Sequence, residues 1–441
     1  MKEIVQYIFT SPIHARAIVW GKLLTITGAA QILVQVVSLL AGILVIRLLP
    51  TQEYALYTLA NTMLGTMVIL ADGGIATGVM AEGRKVWQDR EQLGVVLATG
   101  LDLRKKFAIG SFVVAMPALF YLLRSHGASW IMSGLIIAGL IPGFTTALSG
   151  ALLHVAPKLQ QDIAPLQKNQ VAVNLARLIL LSITLFTFPL AFVAILSAGL
   201  PQIWSNMTLR KISAPYAALG KKPDPVVRSR ILHLIKRVLP TSIYFCLAGQ
   251  ITIWMTSILG TTTDVAQVGA LGRVAISLGL FTVLFTTLIT PRFARMPDDN
   301  SKLLLNRYLH IQLSLLLLCF VIIGVVWLLS NKILWVLGNE FTHLKTELML
   351  SVTNGCLALL SAASHSIFTS KGWIIHPAIY ITCSITAIVC GLFLFKINTL
   401  KGILTLNIFV TSTEVVLYFT YTLARIRMLA SEKHTQQASI V

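Results

Sequence analysis

Twelve runs of mostly apolar residues dominate the sequence, at roughly 23–46, 54–81, 107–123, 129–153, 171–188, 189–208, 238–260, 265–290, 309–329, 346–370, 373–395 and 402–424. A helix needs about 20 such residues to cross the hydrocarbon core of a bilayer, whereas a barrel strand needs only about 9–11. Each run therefore predicts a spanning helix whose backbone groups pair within the segment, with Pro189 separating the fifth from the sixth. Of the 441 residues, 56% are hydrophobic and only 12% are charged, and the mean hydropathy is +0.80. A soluble globule cannot hide that much apolar surface. The fold class is accordingly an all-α integral membrane protein with about 12 transmembrane helices. A basic stretch at 209–237, with Pro215, Gly220, Pro223 and Pro225, divides them six and six. The expected layout is an N-terminal lobe over 1–208, a cytoplasmic connection over 209–237, a C-terminal lobe over 238–428 and a cytoplasmic tail over 429–441, with a cavity between the lobes and rocking about the connection.

The formal charge of +19 then has a topological meaning rather than a nucleic-acid one. With the N-terminus placed in the cytoplasm, 27 of the 35 Lys and Arg fall in inner segments, eight of them in the connection, and 6 fall in outer loops. This bias predicts both termini inside and contacts with anionic membrane lipids. The first 20 residues mix His, Arg and Lys with short apolar pieces, unlike a cleavable signal. Cys246, Cys319, Cys356, Cys383 and Cys390 all lie in apolar runs without a CxxC pair, as buried small hydrophobes do. No metal site is expected, nor a catalytic one: GxxxxGK[ST], GxSxG, HExxH and GxGxxG are absent.

Ionisable groups at bilayer depth cost about 2.5–3.5 kcal/mol each on insertion scales, so they face a cavity or a partner. Asp72 ends a stripe with Tyr57, Asn61 and Gly65 on the second run, beside Gly73–Gly74, which would loosen the helix. It reads either as a cavity-lining acid or as a packing group paired with a nearby Lys or Arg. Arg177, with Asn174 three residues before it, and Arg273, between Gly269 and Ser277, offer permanently charged forks that match phosphate oxygens. The alternatives for both are snorkelling and structural ion pairs. Glu414 lies in a stripe of Asn407, Thr411, Tyr418 and Tyr421 at alternating spacings of 4 and 3, which must face water or protein. It suits coupling to H+ or Na+, or an internal pair. Gln31, Gln35 and Ser38 on the first run, and Ser242, Cys246 and Gln250 on the seventh, suit a lumen or interhelical hydrogen bonds equally. His365 and His376 are isolated.

Several stretches resemble the text of bacterial polysaccharide flippases. Leu49-Pro50-Thr51-Gln52-Glu53-Tyr54-Ala55-Leu56-Tyr57, continuing to Ala71-Asp72-Gly73-Gly74, is similar to their "LLP-x-x-x-YGLY … DLG" opening, with Ala55 in place of the usual Gly. Val268-Gly269-Ala270-Leu271-Gly272-Arg273, continuing to Thr290-Pro291-Arg292-Phe293-Ala294-Arg295, is similar to their eighth span, with Arg273 where a small residue is frequent. Ile333-Leu334-Trp335-Val336-Leu337-Gly338-Asn339-Glu340-Phe341 and Thr369-Ser370-Lys371-Gly372 match two further short motifs.

By this resemblance the chain is identified as a member of the multidrug/oligosaccharidyl-lipid/polysaccharide exporter superfamily, in its polysaccharide branch. The resemblance implies a cationic cavity and flipping of an undecaprenyl-pyrophosphate-linked oligosaccharide across the bacterial cytoplasmic membrane by alternating access, without a catalytic residue or cofactor. It also implies partnership with a polysaccharide polymerase and a chain-length regulator. On that expectation Arg177 and Arg273 attract pyrophosphate, while Asn61, Gln31, Gln35 and Tyr418 serve sugar hydroxyls. The competing expectations are a cation-coupled multidrug exporter of the same superfamily, in which Asp72 or Glu414 dominates, and a non-transporting component of a glycan assembly complex.

Overall fold

Two adjacent glycines stop the second apolar run short. Gly73 and Gly74 take φ of +48° and +92°, a left-handed backbone that other residues rarely adopt, and the Gly73 N–H closes the preceding helix onto the Ile69 carbonyl. In this computed structural model the run is consequently two helices rather than one. The structure describes residues 12–160, 162–290, 293, 296, 301–371, 373, 375–397 and 399–438. The side chains of 12–27, 237, 238, 240–242, 245–247, 276, 287, 288 and 430–438 fall outside that description. So do the stripe positions Ser242 and Cys246 as side chains, and the motif residues Pro291, Arg292, Ala294, Arg295 and Gly372.

Among the described residues the chain is helical without a strand. In order these are α1 (Pro12–Leu48), α2 (Thr51–Asp72), α3 (Ile75–Gly83), α4 (Arg90–Ser125), α5 (Trp130–Leu153), α6 (Val155–Leu159), α7 (Ala164–Thr187) and α8 (Ala191–Ser213). Then follow α9 (Pro225–Leu259), α10 (Thr262–Ser277), α11 (Gly279–Leu288), α12 (Ser301–Leu337), α13 (Lys345–Ser370), α14 (Pro377–Leu394) and α15 (Leu400–Ala438). Starts are marked by local chemistry: Asp89 accepts from the amides of Glu91 and Gln92 to cap α4, and Ser129 accepts from Met132 to cap α5. Most of each apolar run lies in helix, and among the described residues ten helical stretches are long and apolar enough to cross a membrane. The run at 189–208, in α8, falls short, and that at 238–260, in α9, includes side chains outside the described residues. In α8 the reason is visible: Gln202, Ser205 and Asn206 interrupt the apolar sequence and turn into the protein.

The chain divides into two compact units, Met1–Gln250 and Ile251–Val441. The basic connection at 209–237 lies within the first of these units. The connection is folded onto the first unit as part of it. The Ala218 N–H donates to the Arg90 carbonyl at 2.9 Å, Asp224 N–H to Thr99 Oγ1 at 3.0 Å, and Arg228 pairs with Asp102. Ala217, Ile231 and Ile235 are fully or almost fully buried in one cluster with Ile75, Val79 and Leu97. The segment is thus held to the first unit by backbone, side-chain and core contacts.

Within the first unit α1 packs on α7, α2 on α4, and α5 on α8. The α5–α8 crossing is close because glycines meet there: a Cβ on Gly199 would lie 3.1 Å from the Gly143 nitrogen. Small residues at crossings are how membrane helices gain contact without a hydrophobic driving force. Within the second unit α13 packs on α10, α12 and α15, and α14 on α15. Tyr308, Phe368, Leu348 and Ile367 are its buried centre.

Candidate functional site

The polar residues of α7 recur at 167, 170, 174 and 177, spacings of 3, 4 and 3 that place Gln167, Gln170, Asn174 and Arg177 on one helical face. That face meets α1. Gln31 Nε2 donates to Oε1 of both Gln167 and Gln170 at 3.2 Å, and Ser38 Oγ donates to Asn174 Oδ1 at 3.2 Å. The α1 stripe thus makes interhelical hydrogen bonds, one of the two readings left open. Gln35 is half-buried beside it.

Two cavities open along the same surfaces. One, of about 260 Å³, is lined by Tyr57, Asn61, Arg177 and Gln202, with room provided by Gly139, Gly143 and Gly199. The other, of about 470 Å³, is lined by Gln31, Gln167, Gln170, Asn174 and Ser205, with His154 and Lys158 also on its wall. Gln202 borders both. Among the described residues Arg177 is the one charged residue on the first cavity, and no carboxylate lines either. Its Nε is buried without a hydrogen-bond partner among the described residues. So is Oδ1 of Asn169, whose Nδ2 is occupied by Ser205 Oγ at 2.9 Å. A guanidinium stays charged at any accessible pH, and burying it without a partner is costly. This surface therefore suits an anionic or strongly hydrogen-bonding group. The carboxamides around it supply both donors and acceptors.

Asp72 stands elsewhere. It pairs with Arg104 of α4, and its Oδ1 also accepts from the Ala76 N–H at 3.1 Å, bridging the glycine break. This is the paired-packing alternative, and it removes Asp72 from both cavities.

In the second unit Glu414 Oε1 accepts from the Tyr380 hydroxyl at 2.9 Å. Tyr418 stacks on Tyr380 with centroids 5.7 Å apart, against Phe368 and His365. Tyr418 is 4% exposed, so it forms an aromatic core rather than presenting its ring to a lumen. Asn407 donates to Thr252 Oγ1, and Thr411 to Asn354 Oδ1. The α15 stripe therefore faces protein along these positions. Arg273 lies half-buried on α10. His376 caps α14 through Nδ1. No group of three or more potential metal ligands occurs among the described residues.

The structure thus brings Asn61, Arg177 and Gln31 to one pair of cavities in the first unit. It adds Gln167 and Gln170, which sequence reasoning missed although the spacing on α7 carried the signal, and Gln202 of α8. No family model matches the sequence, and no curated protein does. Solved structures share the fold. One is the inward-facing conformation of a multidrug resistance MATE family transporter of the MOP superfamily, with TM-score 0.66, 15% identity, and 90% of this chain and 96% of that one covered. Another is the outward-facing conformation of such a transporter, with TM-score 0.64, 15% identity, and 93% and 95% covered. A third is a MOP superfamily transporter from Pyrococcus furiosus described as having a binding pocket of reverse polarity, with TM-score 0.60, 15% identity, and 92% and 95% covered. The chain has the helical fold of these multi-pass membrane transporters.

Proposed function

We propose that the chain is a membrane transporter that works by alternating access, with a multidrug-type export role as the cargo reading that its fold neighbours favour. The observation that supports transport is the fold, shared over at least nine-tenths of the chain with structures described as inward- and outward-facing. Coupling to H+ or Na+ belongs to this proposal.

A second cargo reading, the lipid-linked oligosaccharide with its pyrophosphate, is favoured by one specific observation: the first-unit cavity carries Arg177 and no acid. Carboxamides at Asn61 and Gln202 suit sugar hydroxyls. A bacterial cytoplasmic membrane would be the setting for either cargo.

Everted vesicles holding equal amounts of wild-type or Arg177→Ala protein separate the readings. Gradient-driven accumulation of cationic dyes, unaffected by Arg177→Ala, supports the multidrug role. Build-up of lipid-linked glycan in a deletion strain, relieved by wild type and not by Arg177→Ala, supports the glycan role. Neither activity from wild type overturns transport.

A further inference from the structure

A third hollow, of about 450 Å³, lies on the flank of the first unit among α4, α5 and α8. Its position and chemistry differ from those of the two cavities above. Arg104, Lys105 and Arg210 line it, together with the polar Thr145, Ser149 and Asn206, and no carboxylate does. Lys105 and Arg210 are exposed, and neither makes an ion pair or hydrogen bond among the described residues. Arg104 is 3% exposed. It spends one nitrogen on Asp72 and another on the Leu148 carbonyl at 2.6 Å, which leaves its buried Nε without a partner. The hollow is therefore a cationic recess with an unsatisfied donor in its wall.

Its surroundings are those of lipid. One turn along α4 from Lys105, Ile109 is 66% exposed. Before Arg210 on α8, Met207, Ile203 and Leu200 form an exposed apolar stripe at 62%, 40% and 42%, spaced to lie on one helical face. The basic end of this stripe is the end of α8 that also bears Lys211, and the sequence places that end at the cytoplasmic surface. A charged recess joined to an apolar stripe has the shape of one amphiphile, with its anion in the recess and its chains along the stripe.

We infer that this recess binds the phosphate of an anionic bilayer phospholipid, with the acyl chains lying along Met207, Ile203 and Leu200. Basic recesses between helices on the cytoplasmic side are where acidic head groups are held, at about 1 kcal/mol or fivefold per Lys or Arg. The inference concerns the bilayer's own lipid and does not depend on what the chain transports.

The test titrates the purified full chain in neutral detergent with phosphatidylglycerol or phosphatidylcholine and counts retained lipid by native mass spectrometry. Lys105→Gln with Arg210→Gln is compared with Lys106→Gln with Lys211→Gln, which removes two charges at the same level outside the recess. All four side chains are exposed and the Arg104–Asp72 pair is untouched; the control double also removes the exposed Lys106–Asp102 pair, which as a surface pair is worth little, so lipid-free melting of both doubles stays close to that of wild type. Wild type is expected to retain phosphatidylglycerol over phosphatidylcholine. The recess double is expected to weaken that retention roughly twentyfold, and the control double by less than half as much on a logarithmic scale. Equal loss in both doubles, equal retention of the two lipids, or displacement of phosphatidylglycerol by millimolar inorganic phosphate overturns the inference. The last outcome would assign the recess to a free anion instead.

Discussion

Arg104 of α4 holds the carboxylate of Asp72 at the point where Gly73 and Gly74 end α2. The pair ties the short α3 back to two long helices, because the same carboxylate accepts from Ala76. Replacing Asp72 by Ala leaves a guanidinium that is 3% exposed without its anion. The expected loss is about 3 kcal/mol, the low end for a broken buried pair, because Asp72 keeps 27% side-chain exposure. Melting in detergent checks this, and adding Arg104→Met should restore much of the loss. An Asp72→Asn protein with wild-type melting but no cation-driven transport would instead give Asp72 a coupling role.

Arg177 behaves oppositely. Its Nε lacks a hydrogen-bond partner and it makes no ion pair among the described residues, so Arg177→Ala should leave melting unchanged or raise it. If the glycan reading holds, the same change should weaken binding of a pyrophosphate-bearing lipid at least tenfold, the size of a lost charge-assisted hydrogen bond. Binding measured beside melting separates the two effects.

Gln31 makes two hydrogen bonds to α7. Interhelical bonds of this kind average about 0.6 kcal/mol in membrane proteins. Gln31→Leu should therefore cost only about 1 kcal/mol. A transport loss beyond that small destabilisation would assign Gln31 to cargo through the cavity that it lines.

Gly199 is expected to tolerate no side chain. A Cβ there stands 3.1 Å from the backbone of Gly143, so neither partner has a flexible end to move aside. Gly199→Val should cost about 1–3 kcal/mol as an overpacked contact, read as a lower melting temperature, and should narrow the cavity that both glycines border.

Outside the spans, Tyr216 donates to Asp162 Oδ2 at 2.7 Å. That hydrogen bond to the carboxylate, with desolvation and the Asp162 charge behind it, holds the phenol above the ordinary tyrosine range. A raised native pKa contributes stability that is complete below the unfolded tyrosine value and is lost as pH rises through the folded one. Ultraviolet titration should show late-ionising tyrosine absorbance in wild type, and Tyr216→Phe should lower it by one residue's share.

The apolar runs are legible because each is a local property of about 20 consecutive residues. Helix breaks are partly legible, since Gly73–Gly74 is a local signal. The partners of intramembrane charges are not. Asp72 meets Arg104 across 32 positions, and Tyr380 meets Glu414 across 34, so the sequence left their pairing open. Gln167 and Gln170 were missed because they precede the apolar part of α7, where hydropathy places no span. The anchoring of the connection is tertiary as well: Pro and Lys at 215–225 resemble a linker until Ile231 and Ile235 are seen inside the neighbouring core.

That anchoring decides where the chain can be divided. Severing it at Gly220, the exposed turn within the basic stretch, would yield an N-terminal fragment missing Ile231 and Ile235 from its own core. The C-terminal fragment would begin with residues 221–250, which belong to the other compact unit. Two polypeptides made this way would have to recombine to be complete, so co-expression from such a split reports complementation rather than independent folding of halves.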